Sequence, residues 1–223
     1  MKNIFTKLVW IIAVAPVIYL AAVWKQLPEK VAMHYDLHGN PDRYGNKKEL
    51  IVLVAILLAV NVFVYFLLTN IYRIDPKKYA SENKERLRRI ALAVVVFISA
   101  IIFLIVYSSR QGSINLSMGL IFSAVGLLFA FIGNYMQNMK PNYFAGFRLP
   151  WTLENAENWK KTHALGGKLW FAGGLFLGVV CLFTPPLASI IVFFTVMMIL
   201  VIIPCVFSYR LYKQQKKTNA PGQ

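Results

Sequence analysis

The chain carries little charge and few acidic residues. Of its 223 residues, 15% are charged, and nine are Asp or Glu against 24 Lys or Arg. A soluble domain carries about 25% charged residues, so this composition argues against an ordinary soluble enzyme. The hydrophobic fraction of 58% is instead typical of a protein that places long apolar segments in a bilayer.

Six long apolar runs contain no acidic, basic or histidine residue. They lie at 8–24, 50–72, 90–107, 114–133, 169–184 and 187–208. A bilayer-spanning helix needs about 20 residues, so we predict an all-α membrane protein with six transmembrane helices. Proton-coupled transporters and pumps usually carry ionisable groups inside their spans, and the lack of them here argues against that class.

Cysteines and catalytic motifs are also scarce. The two cysteines, Cys181 and Cys205, both lie in apolar runs, which excludes a disulfide framework and a Cys-x-x-Cys metal pair. The sequence has no His-Glu-x-x-His, Gly-x-Ser-x-Gly or phosphate-binding-loop motif. We therefore expect no enzyme activity, no catalytic residues and no cofactor.

The net charge of +15 has a simple explanation in the loops between the runs. If both termini are cytoplasmic, 18 of the 24 Lys and Arg residues lie on the cytoplasmic side and 6 lie outside. Such an excess of inner basic residues orients multi-pass proteins. We predict both termini to be cytoplasmic, with membrane lipids and not nucleic acid as the partners of the basic residues.

Small residues follow one face of the fourth predicted helix. They recur at intervals of four and three residues, at Gly119, Ser123, Gly126, Ala130 and Gly133. Small residues let two membrane helices approach closely. The stripe, like Gly174 and Gly178 in the fifth run, therefore predicts helix packing.

The first loop, 25–49, has a different periodicity. Apolar and polar residues alternate over 31–38, and 39–42 has turn composition, which predicts a short extracytoplasmic strand-and-turn cap. His34, Asp36 and His38 would share one side of the strand. They are either a zinc site, since imidazole and carboxylate suit that metal, or a solvated face. No further ligand cluster completes a site, so we predict no metal.

The fourth loop, 134–168, predicts an amphipathic helix over 153–167 that lies on the cytoplasmic membrane surface. Thr152 is its expected N-cap, and Trp151 and Trp159 suit the membrane interface. Arg148 has two interpretations that the sequence leaves open. Its guanidinium is either a bidentate donor to a partner or a cap for the carbonyls that end the fourth helix.

Two segments carry a resemblance to a known family. Residues 142–153 read NYFAGFRLPWTL, preceded by Gly133-Asn134 and followed by Trp159. This pattern resembles the signature of the SdpI-type immunity family, except that Leu149 stands where Thr is common. The first loop, with Leu27-Pro28 and the stretch 34–42, resembles the small domain that often precedes that signature.

The resemblance implies a protein of the bacterial cytoplasmic membrane that gives resistance to a secreted antimicrobial peptide toxin. In the founding case the peptide is the sporulation-delay toxin, and the toxin-engaged protein is thought to hold a transcriptional repressor at the membrane. A transporter or channel for a small amphiphile is the alternative function. The sequence leaves the oligomeric state open.

We expect two sets of site residues and four units. The resemblance implies partner-binding residues on the cytoplasmic side at Asn134, Asn142, Gly146, Arg148, Pro150, Trp151, Thr152 and Trp159. Extracytoplasmic ligand contacts are expected at His34, Asp36, Gly39, Pro41 and Asp42. The units are a two-span unit at 1–72, a basic helix with the third span at 73–113, an SdpI-like unit at 114–208 and a basic tail at 209–223.

Overall fold

The chain folds as a bundle of long helices with one small β hairpin. The computed structural model describes residues 2–36, 40–77, 79–111 and 118–218. Its α-helices are α1 (Lys2–Val23), α2 (Lys47–Asn70), α3 (Lys84–Gln111), α4 (Met118–Met136), α5 (Pro150–Glu154), α6 (Ala156–Phe183) and α7 (Pro186–Thr218). The hairpin pairs β1 (Lys30–Tyr35) with β2 (Pro41–Asn46).

Six of these helices are long and apolar enough to cross a membrane, which confirms the predicted spans. At 1.5 Å per residue the 33 residues of α7 measure about 50 Å, more than the hydrocarbon core of a bilayer. The chain turns from α6 to α7 at Pro185. Pro16 and Pro204 lie inside α1 and α7, as membrane helices tolerate.

The bundle consists of two three-helix halves. In the first half, α1 and α2 both pack against α3; in the second, α4 packs against α6, and α6 against α7. Contacts between α3 and α4 join the halves. We call the end of the bundle with β1 and β2 the hairpin end, and the opposite end, with the loop 137–149, the tail end.

The predicted small-residue stripe is the contact surface of α4. The helix buries Gly119, Ser123, Gly126, Ala130 and Gly133 against α6, as expected. A Cβ on Gly126 would lie 2.9 Å from the carbonyl oxygen of Gly174, so the two backbones are in contact. The Ser123 hydroxyl donates to the Gly178 carbonyl across the same interface.

The cap contains two strands, whereas the alternating pattern predicted one. Residues 31–35 form a strand as expected, but Pro41 and Asp42, predicted in a turn, begin the second strand. β2 has exposed or half-buried residues on both faces, so it lacks the periodicity that identifies a strand. It leads into α2 through a capping box: the Glu49 carboxylate accepts from the Asn46 amide, and the Asn46 side chain accepts from the Lys48 amide, both at 2.9 Å.

The structure differs from the predicted interfacial helix over 153–167. Residues from Ala156 onward are the first turns of α6, which continues without a break to Phe183. Thr152 is not the N-cap: the Asn155 side chain accepts the hydrogen bond from the Asn158 amide and begins the helix. These turns bury Trp159, Thr162 and His163 against protein, so they pack in the bundle.

Candidate functional site

The family-like segment forms an irregular loop at the tail end, between α4 and α5. A backbone without helical hydrogen bonds needs other partners where water is scarce. Asn142, almost fully buried, supplies some of them: its Oδ1 accepts from the amides of Phe144 (2.9 Å) and Ala145 (2.7 Å). Its Nδ2 donates to the Lys140 carbonyl at 3.0 Å. Asn142 therefore fixes the shape of its own loop.

The segment before α3 holds one side of the loop. Buried Asn83 exchanges two hydrogen bonds with the backbone of Lys140, donating to its carbonyl at 2.9 Å and accepting from its amide at 2.8 Å. The Asp75 carboxylate accepts from the Tyr143 amide at 2.8 Å. Lys77 donates to the Leu153 carbonyl at 2.6 Å. The loop is thus attached to the first half of the bundle.

Helix α6 holds the other side through Trp159 and His163, both fully buried. The Trp159 indole donates to the Met139 carbonyl at 2.8 Å and stacks on the His163 ring with centroids 3.9 Å apart. His163 Nε2 accepts from the Phe147 amide at 3.0 Å, and Nδ1 lies 2.9 Å from the Trp159 carbonyl. Since a carbonyl only accepts, the ring is the neutral tautomer with its proton on Nδ1.

Gly146 is where this arrangement requires glycine. Its φ of 105° is one that residues with a Cβ rarely adopt. A Cβ at this position would also overlap His163 Nε2. Gly146 was expected to bind a partner; its contacts show that it lets the loop approach His163.

The Phe147–Thr152 stretch turns sharply into α5. Thr152, fully buried, accepts from the Leu149 amide at 2.9 Å and lies 2.7 Å from the Phe147 carbonyl, to which it donates. Leu149 is extended, as a residue before proline prefers, and Pro150 starts the helix. Pro150 and Thr152 therefore hold the turn.

A chain of hydrogen bonds links α5 and α6 to α7. The Trp151 indole donates to the Ser208 hydroxyl at 2.7 Å, and that hydroxyl donates to Asn158 Oδ1 at 2.8 Å. The Asn158 amide group donates to the Ser208 carbonyl at 3.0 Å. Trp151 also stacks on the Tyr212 ring. Trp151 is half-buried between helices, and Trp159 is fully buried, so the expected interfacial position of Trp159 is wrong.

Three of the predicted tail-end residues, Asn134, Arg148 and Pro150, have exposed side chains. Arg148 is exposed and donates to the Tyr143 carbonyl at 3.0 Å, within the loop and not at the end of α4. Asn134 lies on α4, apart from the loop, beside a polar cavity of about 480 Å³ that Glu82, Arg86 and Arg89 also line. Four of the others, Asn142, Trp151, Thr152 and Trp159, make internal contacts, and Gly146 lies against His163. Arg148 projects from the loop.

At the hairpin end the structure brings His34 and Asp42 together. His34 Nδ1 lies 2.6 Å from the Asp42 carboxylate, while Asp36 accepts from the amide and side chain of Asn40. Pro41 pairs opposite Tyr35 in the hairpin. Gly39 and His38 lie outside the described residues. Within the described ranges no group of three His, Cys, Asp or Glu residues is placed to hold a metal.

A cavity of about 420 Å³ lies beneath β1, between the two halves of the bundle. Its walls are largely apolar side chains of three helices, among them Leu53, Leu104 and Met118. Burial raises the pKa of the Tyr35 hydroxyl at its edge. The cavity has the size of a small-ligand pocket.

Sequence reasoning missed the residues that hold the loop from outside it. Asn83 bonds Lys140 across 57 positions, and Asn158 bonds Ser208 across 50. Neither pair has a local spacing that would identify it. For Asn83 one signal was available, since it is an uncharged polar residue within a strongly charged segment.

Comparisons with known proteins agree with this architecture. Residues 138–208, from the loop through α7, match the SdpI/YfhL protein family, and residues 11–59, from α1 through the hairpin into α2, match a domain of unknown function, DUF1648. The chain is 26% identical over 195 residues to "Immunity protein SdpI" of Bacillus subtilis (strain 168). That similarity covers 86% of this chain and 88% of the relative. No solved structure matches the chain. With six helices long and apolar enough to span a bilayer, the chain is a multi-pass membrane protein, and its residues 138–208 resemble the SdpI/YfhL family.

Proposed function

We propose that this protein gives its cell immunity to a secreted antimicrobial peptide toxin. The observation that carries the proposal is the similarity to an immunity protein along 86% of the chain. Family models separately match the hairpin unit and the tail-end loop, so the resemblance is not confined to generic apolar helices.

We also propose that the role is not enzymatic. The polar side chains buried at the tail end, such as Asn142, Thr152 and Asn158, are engaged in hydrogen bonds that shape the loop. The one buried histidine there, His163, has both ring nitrogens bonded to backbone. A general base needs a nitrogen that faces a substrate, which His163 does not offer.

Transport of a small amphiphile is the alternative function, favoured by the cavity beneath β1. Against ion-coupled transport, no Asp, Glu, Lys or Arg is buried among the side chains that the structure describes. Coupling ions or protons to transport usually requires such groups within the bundle. Uncoupled export of an amphiphile stays compatible with the cavity.

The proposed orientation places the tail end and both termini in the cytoplasm, because the basic residues concentrate there. The hairpin end then faces the side from which a secreted peptide arrives. On this view the units are 1–72 for sensing, 73–113 as the linking basic segment and span, 114–208 as the SdpI-like unit, and 209–223 as a basic tail.

A second, finer proposal concerns signalling. The tail end would hold a transcriptional repressor at the membrane when toxin is bound. The support is the exposed Arg148 on a loop whose backbone is held by internal hydrogen bonds, since a guanidinium on a fixed backbone is a good donor to a partner's carboxylate.

Survival of a sensitive bacterium under the sporulation-delay toxin tests the immunity proposal. Cells that express the chain should survive toxin concentrations that kill cells with an empty vector. Equal killing, with the protein present in the membrane fraction, would contradict immunity to this toxin. Reduced accumulation of a fluorescent amphiphile without any protection would favour the transport alternative.

A further inference from the structure

The cavity beneath β1 has an unusual wall. Five consecutive residues, Ala32 to Asp36, all line it. Four of them belong to β1, whose pairing with β2 is irregular between Ala32 and Tyr35, and Asp36 follows the strand. No β2 residue lines the cavity, so the side of β1 away from β2 borders it.

Among the described residues, that edge has no strand beside it. β1 pairs with β2 alone in a two-stranded sheet, and within the described ranges no third strand joins. An open strand edge presents a row of amide and carbonyl groups that an extended peptide can complete.

The floor of the cavity is apolar and is formed by the ends of three helices. Leu50 and Leu53 come from the first turns of α2, Ile105 from the last turns of α3, and Met118 from the start of α4. Its volume of about 420 Å³ is within the range of specific ligand pockets.

Two carboxylates lie at or beside the edge of the cavity and favour a peptide over an anionic lipid. Asp36 lines it, and Asp42 is bonded to His34, which also lines it. Carboxylates repel the phosphate of an anionic lipid headgroup, whereas they accept hydrogen bonds from the amides or cationic groups of a peptide.

We propose that an extended apolar segment of a peptide binds along the free edge of β1 and places alternate side chains in the cavity between the two halves. The inference rests on the proposed immunity function, and it names the site at which the toxin is bound. It also accounts for the cavity's position, because a ligand there contacts helices of both halves.

Photo-crosslinking tests the site in the full-length protein in cells. Benzoylphenylalanine replaces Tyr35, which borders the cavity, and in the matched control it replaces Tyr44, an exposed tyrosine of β2 in the same hairpin. The probe is the sporulation-delay toxin peptide. We expect a peptide adduct at position 35 and not at 44. An adduct with lipid alone, equal adducts at both positions, or none at 35 would overturn the proposal.

Substitutions that fill the cavity provide a second, independent test of the site. Leu104→Trp places a larger side chain in it, and Val96→Trp makes a similar change on the exposed face of the same helix. We expect Leu104→Trp to lower the tolerated toxin concentration about tenfold at normal membrane abundance, and Val96→Trp to leave it unchanged. Full protection by Leu104→Trp would overturn the site while the immunity function stands; a wild-type chain without protection would remove the function itself.

Discussion

At the scale of single residues, the tail-end loop depends on side chains that satisfy its backbone. Five side chains form hydrogen bonds with amides or carbonyls of the loop: those of Asn142, Asn83, Asp75, His163 and Thr152. An amide or carbonyl left unpaired in a buried site costs about 1–3 kcal/mol. The family-like residues that make these bonds are therefore needed for the shape of the loop, and the exposed ones, such as Arg148, are suited to contact a partner.

Gly146→Ala should destabilise the protein. The substitution forces a Cβ onto a backbone with φ of 105° and into His163, at a cost of roughly 1–3 kcal/mol. Thermal unfolding in detergent measures the loss. In a His163→Ala background the overlap with the ring is gone, so the added effect of Gly146→Ala should be smaller. An equal loss in both backgrounds would contradict the contact with His163.

Substitution of Arg148 distinguishes a role in partner recognition from a role in the structure of the loop. Arg148→Lys keeps the charge but removes the planar fork of donors. If the guanidinium binds a partner, protection or signalling should fall while membrane abundance stays normal. If its bond to the Tyr143 carbonyl is what matters, the protein itself should be depleted. Arg148→Ala with normal abundance and normal activity would reject both roles.

At the scale of elements, α4 and α6 form the tightest pair in the bundle. Their contact is made by small residues, so backbone meets backbone with no long side chain between. Apolar side chains are equally satisfied by lipid tails, so association here depends on close packing and interhelical hydrogen bonds. The pair anchors the loop, because α4 ends just before it and α6 supplies Trp159 and His163.

Gly174→Val should separate this pair. A Cβ on Gly174 would meet the Gly126 carbonyl and the backbone of Ala130, neither of which can rotate away. Ala172→Val, on an exposed face of the same helix, is the control for helix propensity. We expect the first variant to lose about 2 kcal/mol or more and the second to change little. Unfolding in detergent measures both, and equal losses would argue against the contact.

At the scale of the whole molecule, two three-helix halves meet along α3 and α4, with cavities between them at both ends. The halves are joined at the tail end by the bonds of Asn83 and Asp75 to the loop. A ligand at the hairpin end would therefore contact the interface between the two halves, which the loop joins at the tail end.

The orientation in the membrane gives a direct prediction. In a background without Cys181 and Cys205, Asn40→Cys at the hairpin end should react with a membrane-impermeant maleimide in intact cells. Glu154→Cys, exposed at the tail end, should react only after the cells are opened. The reason is the excess of basic residues at the tail end. Labelling of position 154 in intact cells would place the tail end outside and contradict the predicted topology.

The sequence by itself determined the spans, the charge bias and the stripe of small residues on α4. Each is a local property: a run of apolar residues, a count per loop, or a spacing of three and four residues along one helix. The resemblance of residues 142–153 to a family also came from consecutive residues. Such features need no knowledge of what lies across the bundle.

Only the tertiary structure decided what the individual site residues touch. The alternation that predicted β1 gave no sign of β2, and helical periodicity over 153–167 did not distinguish a helix on the membrane surface from the start of α6. Trp159 is buried because Met139 and His163 lie against it, and Asn158 meets Ser208 fifty positions away. Hydrogen bonds and cavities between distant segments depend on how helices pack, and no spacing within one segment encodes that.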